Sequence, residues 1–315
     1  MRKPVRAIIP VALAAAISFA GPGPASAGEG SRGGTFLPMG WDARGQGLAG
    51  AATLLARDET AAWWNPANLV FLESPRVGAG ATKPFPDLPN TYSTLGAGMG
   101  LLGTREKPPG GGPSVRRLAL AVNASHLGLE LAGGSGWNEG SLGFCAAYSL
   151  NSWNYVGAGF RMLKSWTDLE EAGAWGSALD IGLTTRLHRR LWLGAVARNI
   201  YSTVSYPERD EEIEPSFTLA ASVEEILFGR LSLEADLVYS AGEMNSVLAG
   251  AELCLVEDAV WLQGGADSRL VNFSRTIPWF GLSARYGPLG VAVSFGFDTE
   301  DYLGRKTRVS LSWAL

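Results

Sequence analysis

The residue types that most often carry out catalysis or bind metals are scarce in this chain. Its 315 residues include two histidines, His126 and His188, and two cysteines, Cys145 and Cys254. His188 lies in a short basic stretch, and His126 stands among apolar and small residues. Neither histidine has partners at a spacing typical of a catalytic triad, and the cysteines are too far apart in sequence for a metal motif. We therefore expect no catalytic residue, no metal site and no cofactor, and a protein that is not an enzyme.

Phosphate and nucleic-acid binding are also not expected. Gly96, Gly98 and Gly100 recur at every second position, which indicates a strand packed closely against something rather than a nucleotide loop. The chain has 26 Lys and Arg against 30 Asp and Glu, so it lacks the basic surface of a nucleic-acid-binding protein. A hydrophobic fraction of 46% argues against intrinsic disorder.

Charged residues instead occur inside segments that alternate apolar with small or polar residues. In each case the charge shares a face with glycine, serine or other small residues, and the opposite face is apolar. Period-two alternation is typical of a strand with two different faces. A barrel would turn these charges into its lumen, whereas a soluble β-sandwich would turn them to solvent, and alternation alone does not separate the two. The candidate lumen-facing charges are Arg161, Asp180, Arg198, Glu234, Asp236, Glu252, Asp267 and Arg285.

About fourteen such segments follow one another, with lengths that suit tilted transmembrane strands. They begin near residues 76, 92, 117, 141, 154, 174, 191, 215, 230, 246, 259, 278, 289 and 305. Short links alternate with long ones, such as residues 203–214 and 269–277, as in outer-membrane barrels. The Pro/Gly-rich link 103–116 is long where a short turn is expected. The sequence predicts an all-β, antiparallel transmembrane barrel of about 14 strands over residues 76–315.

Residues 1–27 have the pattern of a secretory signal peptide. Basic residues precede the apolar run 8–20, and Ala25-Ser26-Ala27 is a cleavage site of the usual type. The alternative is a membrane anchor, which the short run and Pro10 disfavour. We expect an exported protein located in the bacterial outer membrane, in contact with its lipid.

The N-terminal part of the remaining chain carries a distinctive block, residues 36–72. It opens with Phe36-Leu37, and an acidic pair lies near its middle. Its matching positions are Gly40, Ala43, Arg44, Gly47, Asp58, Trp64, Asn65, Pro66 and Ala67. This block resembles the N-terminal region of the PorV/PorQ family, within the FadL (long-chain fatty-acid transporter) superfamily. The chain departs from that pattern at Asn68, where glycine is usual.

The resemblance implies that residues 28–75 form a small helical hatch in the barrel lumen. Leu48, Ala51, Ala52 and Leu55 follow helical spacing, and Asn65 with Pro66 forms a typical helix start. For the tripeptide Asn65-Pro66-Ala67 alone, an ordinary helix cap is the simpler interpretation. If the hatch fills the lumen, Arg44 and Asp58 should pair with strand charges of opposite sign.

Two functions follow from the resemblance. The first is a passive transport channel for small hydrophobic molecules, with Leu270–Phe273 and Ile277–Phe280 as loop segments that collect the ligand. The second is a PorV-type barrel of type IX secretion, which binds exported client proteins through long loops such as 203–214. A structural barrel without cargo is a third possibility.

Aromatic residues near strand ends are expected at the membrane interfaces or, for some, in a ligand site or the core: Trp153, Trp166, Trp175, Trp192, Trp261, Trp279, Trp313, Tyr201, Tyr206 and Tyr302.

Overall fold

A computed structural model describes most of the chain after residue 38. The described ranges are 39–85, 89–103, 114–130, 136–168, 173–207, 210–240, 243–270, 275–298 and 305–315. The expected signal peptide, the first part of the expected hatch, all but Leu270 of the loop segment Leu270–Phe273, and Tyr302 lie outside them. No helix in these ranges is long and apolar enough to cross a membrane.

Fifteen strands occur within the described ranges, and they start close to the positions that the alternation predicts. They are β1 (Arg76–Thr82), β2 (Asn90–Leu102), β3 (Leu118–Glu130), β4 (Gly136–Ser149), β5 (Asn154–Thr167), β6 (Ala174–Arg186), β7 (Leu191–Ser205), β8 (Asp210–Glu211), β9 (Ser216–Glu225), β10 (Leu231–Ser240), β11 (Glu243–Val256), β12 (Val260–Arg269), β13 (Arg275–Tyr286), β14 (Leu289–Phe297) and β15 (Arg305–Ala314).

Fourteen of these described strands form a closed antiparallel barrel, which confirms the expected fold. Neighbours in sequence pair with one another, and β7 pairs with both β6 and β9. The ring closes where β1 pairs with β15, from Arg76 opposite Ala314 to Thr82 opposite Arg308. The two-residue strand β8 pairs with the end of β7 and lies outside the ring. Closure leaves no unpaired sheet edge, as a sheet in a membrane requires.

The two faces of each strand differ as the alternation predicts. On β5, Gly157, Gly159 and Arg161 are buried, whereas the alternating residues Phe160 and Met162 are 44% and 42% exposed. A soluble sandwich would bury its large apolar side chains and expose its charges. Here the apolar side chains face outward and the charges face inward, which is the arrangement of a membrane barrel.

The links between strands define two ends of the barrel. At the short-turn end lie the compact links β4–β5, β6–β7, β11–β12 and β13–β14, together with the turn Ile226–Gly229 between β9 and β10. The other end, here called the long-loop end, carries the link between β7 and β9. The long link before β3 is at the short-turn end, where Arg116 N–H donates to Val70 O at 2.7 Å. The described end of this link, residues 114–117, is therefore bonded to the chain inside the barrel.

The structure corrects the expectation that Ile277–Phe280 is a loop segment. These residues belong to β13 and pair with β12. Pro278 cannot donate a backbone hydrogen bond. It lies one residue before Trp279, where pairing with β14 begins, so its missing N–H costs no hydrogen bond to β14. Ile277 and Trp279 are buried, and Phe280 is exposed on the outer face.

Residues 39–75, here called the internal segment, lie against the inward face of the strands. The segment contains α1 (Ala43–Gly47), α2 (Ala61–Trp64) and a 3-10 helix (Pro66–Phe71). Asn65 caps the 3-10 helix, accepting a hydrogen bond from Ala67 N–H at 3.1 Å. The spacing of residues 48–55 does not produce a helix, because Ala49 and Gly50 have positive φ angles and turn the chain.

Inward-facing glycines let the internal segment approach the strands backbone to backbone. A Cβ on Gly265 of β12 would lie 2.5 Å from the carbonyl carbon of Leu48, and one on Gly157 of β5 would overlap the peptide between Pro66 and Ala67. Such contacts leave no room for any side chain. The 41 glycines of the chain thus serve this packing as well as turns.

We predict that Gly265→Ala destabilises the barrel, because the added methyl group must displace the backbone of the internal segment. The expected loss is about 1–3 kcal/mol of unfolding free energy, measured by urea unfolding in lipid vesicles. Gly264→Ala is the matched control, since a Cβ at Gly264 would have no neighbour within 4 Å. Equal unfolding midpoints for the two variants would contradict the packing.

Candidate functional site

Two large cavities lie in the interior of the described part of the barrel, and the internal segment contributes to the walls of both. The larger cavity, about 720 Å³, opens toward the long-loop end and reaches Phe85 and Lys306. The smaller cavity, about 310 Å³, lies at the short-turn end beside Arg76 and Arg285. A molecule that crosses the barrel along its axis must therefore pass the internal segment.

One wall of the larger cavity is apolar. Ile277 and Trp279 of β13 pack against Ala49 of the internal segment in a buried cluster. Val238 and Leu248 add apolar side chains on β10 and β11, where Asp236 and Asp267 are the register partners of Leu248. The cavity volume is in the range that holds a small hydrophobic molecule, to which the apolar side chains offer dispersion contacts.

The opposite wall of the larger cavity is polar, and charged side chains of the strands form an ion pair and hydrogen bonds there. Arg161 donates from Nη2 to Asp180 Oδ1 at 2.9 Å and to Asn199 Oδ1 at 2.7 Å. The register between β6 and β7 shifts at this point, and Asn199 has a positive φ angle. Arg198 beside it donates to Trp64 O at 2.9 Å, so it contacts the internal segment.

Two strand carboxylates bind the backbone of the internal segment. Leu54 N–H and Leu55 N–H donate to the two oxygens of Glu234 at 2.7 and 2.9 Å. Thr53 donates its hydroxyl to Asp236 at 2.6 Å. A non-helical stretch inside a barrel has backbone N–H groups without helix partners, and these carboxylates satisfy them.

Arg44 forms the central ion pair between the internal segment and the barrel wall. Its Nε and Nη2 donate to the two oxygens of Glu252 at 2.7 and 2.8 Å, the bidentate geometry that guanidinium groups favour. Gln263 also donates to Glu252, at 3.0 Å. Asp58 lies 3.8 Å from Arg44, within the segment, and no ion pair to a strand cation is seen for it among the described residues.

Other positions of the hatch motif have packing and capping contacts. The motif residue Trp64 donates from Nε1 to Asp42 at 2.7 Å, and Asp42, outside the motif, also accepts from Gly45 N–H at 2.9 Å, which joins α1 to α2. Ala43 N–H donates to Ser310 on β15. The remaining positions are described by location: Gly40 has a positive φ angle beside the larger cavity, Gly47 touches Gly281, and Pro66 and Ala67 touch Gly157.

Asn68, the departure from the family pattern, has a specific structural role. Its side chain is buried and donates to Thr53 O at 2.9 Å and Ala56 O at 3.0 Å. It also accepts from the hydroxyl of Thr184 at 2.6 Å. Asn68 therefore folds the 53–56 loop and joins it to β6, which a glycine cannot do.

Two predicted charges lie away from the internal segment. Asp267 pairs with Arg269 of the same strand at 3.2 Å, beside the larger cavity. Arg285 lies at the smaller cavity, with its guanidinium 5.4 Å from the Trp261 ring centroid. They line the two ends of the lumen without holding the segment.

The sequence interpretation missed one strong contact, between Arg57 and Glu224. Their bidentate hydrogen bonds measure 2.7 and 2.6 Å, and Arg57 stacks 4.3 Å over Trp192. Glu224 belongs to the inward face of β9, so the alternation contains its signal. Trp192 is 1% exposed and packs on Phe71, so it is not an interface aromatic.

No group of three or more possible metal ligands is found in the described ranges. The two cysteines are free thiols. His126, on the outer face, contacts Asn138 at 3.2 Å and stacks on Trp166.

Comparison with known proteins identifies the fold. No family model and no curated protein matches the chain. Among solved structures, a FadL homologue of Pseudomonas aeruginosa is similar with a TM-score of 0.59 and 11% identity, covering 87% of this chain and 98% of that one. The CymD monoaromatic hydrocarbon channel gives 0.63 and 14%, covering 88% and 98%, and the Pseudomonas putida toluene transporter TodX gives 0.60 and 12%, covering 87% and 96%. The chain thus shares the barrel fold of FadL-type proteins.

We predict that breaking the Arg44–Glu252 pair loosens the internal segment and raises the ion conductance of the barrel. Glu252→Gln removes the charge and leaves Arg44 without its bidentate acceptor. Single-channel recording in planar bilayers should show a larger conductance or frequent openings. Asp267→Asn is the control, since it removes a lumen ion pair that does not touch the segment. Identical traces for wild type and Glu252→Gln would contradict this role.

A second prediction concerns Glu59, a buried carboxyl of the internal segment beside Gly78. Burial, with repulsion from Asp58, raises the pKa of Glu59 from 4.5 to about 8. The folded protein therefore holds a proton that the unfolded chain releases. The linked stability is full below pH 4.5 and is lost as the pH rises through about 8.

Glu59→Gln should flatten this pH dependence by up to about 1.4 kcal/mol per pH unit. Unfolding free energies measured by urea titration from acid to alkaline pH give the slope. Glu73→Gln, at an exposed carboxyl, should keep the wild-type slope. A wild-type slope in Glu59→Gln would show that Glu59 titrates normally.

Proposed function

We propose that this protein is a bacterial outer-membrane channel for the passive transport of small hydrophobic molecules. The observation that carries the proposal is the larger cavity, which opens at the long-loop end and has an apolar wall inside a closed barrel. The solved structures of the same fold include a toluene transporter and a monoaromatic hydrocarbon channel, which supports this substrate class. The outward apolar face of the strands supports contact with outer-membrane lipid.

Binding needs only the transfer of apolar surface out of water. A small molecule against Ile277, Trp279 and Leu248 gains about 25 cal/mol for each Å² of apolar surface that it buries. The free energy that drives transport comes from the concentration gradient of the ligand, and neither a cofactor nor a catalytic residue takes part. We accordingly propose that the protein is not an enzyme.

The internal segment acts as the hatch in this proposal, within a domain of residues 28–75. It separates the two cavities, so an axial path requires it to move. Glu234, Asp236 and Glu252 bind it by hydrogen bonds, which exchange readily with water when the segment shifts. Its buried apolar side chains, such as Trp63 and Phe71, also pack against strand residues, so a shift must separate these contacts too. The hatch motif and lumen charges together set how tightly the lumen is closed.

The PorV-type function, binding of exported proteins, has less support. The link between β7 and β9 was the expected client surface, but its end folds inward. Ile213 is buried, its N–H donates to Ser202 Oγ at 2.9 Å, and Ser202 donates back to Ile213 O. This leaves less of the loop available to a client.

We predict that filling the larger cavity slows uptake. Leu248→Trp adds bulk on the apolar wall and should lower the uptake of radiolabelled toluene or fatty acid several-fold, in a deletion strain that expresses the variant. Leu262→Trp is the control, because Leu262 is exposed on the outer face of the neighbouring strand β12.

Equal uptake by the deletion strain and the complemented strain, for both ligands, would contradict the transport function. Equal uptake by Leu248→Trp and Leu262→Trp would be compatible with transport but would place the path of the ligand outside this cavity.

A further inference from the structure

Lys164 of β5 is a cation on the outer surface of the barrel. Among strand residues whose side chains the structure describes, every other lysine and arginine is on an inward-facing position. Lys164 is exposed and is flanked on β5 by inward-facing Leu163 and Ser165, which are buried. A lysine on a lipid-facing position costs stability near the middle of a membrane and little near its boundary.

Aromatic rings surround the ammonium of Lys164. Its Nζ lies 4.6 Å from the ring centroid of Trp175 and 5.7 Å from that of Trp166. Trp175 is the register partner of Lys164 on β6, and Gly140 is its partner on β4. Because Gly140 has no side chain, Trp166 lies over it and stacks on His126 of β3, with ring centroids 5.5 Å apart. The result is a shallow recess, here called the Lys164 recess.

The Lys164 ammonium has N–H donors available for a further hydrogen-bond acceptor. No described carboxylate lies within ion-pair distance of Nζ, and the indole faces are its protein contacts. An ammonium has three N–H donors, and an aromatic face does not replace a hydrogen-bond acceptor. The recess is therefore open to an anionic acceptor from outside the chain.

The recess lies where such an acceptor is found in a membrane. Lys164 is close to the end of β5 on the long-loop side, which is Thr167. Toward the middle of the barrel the outer face carries large apolar side chains, with Met162 and Phe160 exposed on β5 and Leu142 on β4. Indole rings favour the boundary between hydrocarbon and headgroups, and a lysine stem reaches from that depth to the phosphates.

We propose that the Lys164 recess binds the phosphate group of a membrane lipid in the leaflet on the long-loop side. The ammonium pairs with the phosphate, the rings of Trp166 and Trp175 flank the headgroup, and the acyl chains lie along Met162 and Phe160. The proposal rests on the membrane location of the proposed function and not on transport.

Native mass spectrometry of the folded, detergent-solubilised protein tests it. Titration with lipid A, a phosphorylated lipid, should show a first bound lipid for the wild type and for Lys164→Arg. Lys164→Gln should bind that lipid about fivefold more weakly, the effect expected from one lysine at a membrane surface. Lys83→Gln, which removes an exposed cation at the same end of the barrel, should bind like the wild type.

Several outcomes separate the alternatives. Equal affinity of Lys164→Gln and wild type, or equal loss in Lys83→Gln, would overturn the proposal. Displacement of the lipid by inorganic phosphate would assign the recess to free phosphate and overturn it too. The gel-mobility shift of folded barrels verifies folding, and Trp175→Leu, which keeps the charge, should weaken binding if Lys164→Gln fails to fold. Toluene uptake should be unchanged in Lys164→Gln. The lipid-binding result can therefore be interpreted even if the proposed transport function is wrong.

Discussion

The structure depends on the close approach of the internal segment to the barrel wall. A fourteen-stranded ring encloses more space than strand side chains alone would fill. Here the chain fills that space with its own residues 39–75, and backbone meets backbone at Gly157 and Gly265. Glycine on the inward face is what allows this contact. The high glycine content and the near-neutral mean hydropathy are averages over an apolar outside and a small, polar inside.

Close packing alone would leave polar groups of the segment without hydrogen-bond partners, and the charged side chains of the lumen provide such partners. A short helix and a bent loop expose backbone N–H groups inside the barrel. Glu234 accepts two of them, and Glu252 accepts the guanidinium of Arg44. Glu234 and Glu252 are thereby each matched to a specific group of the segment, as burial in a low-dielectric interior requires. The segment is thus held both by apolar clusters with the strands and by polar contacts at discrete points.

Much of the barrel follows from local sequence. Period-two alternation locates the strands to within a few residues, because one face must meet lipid and the other must not. The cap at Asn65 also follows from local chemistry, since a side-chain acceptor before Pro66 sets a helix start. The inward direction of the strand charges follows from the same alternation.

Other features depend on contacts that no local pattern encodes. Positive φ at Ala49 replaces the helix suggested by residues 48–55, because the segment must turn beneath β12. Trp192 is buried because Arg57 and Phe71 reach it across the lumen. Long-range partners also decide that Ile277 is a cavity wall rather than part of a loop. Periodicity gives the face of a residue, and only the tertiary structure gives its partner.

The central claim is that the internal segment closes the lumen, and the native Cys145 reports on it directly. Its thiol is on the inward face of β4, buried and 3.3 Å from Ala62 O of α2, so the segment covers it. The direct measurement is the rate at which a small charged methanethiosulfonate reagent modifies Cys145 in the folded Cys254→Ser protein. The account predicts slow modification that accelerates when Glu252→Gln loosens the segment. Modification of Cys145 in the unaltered segment as fast as that of an exposed thiol would contradict it.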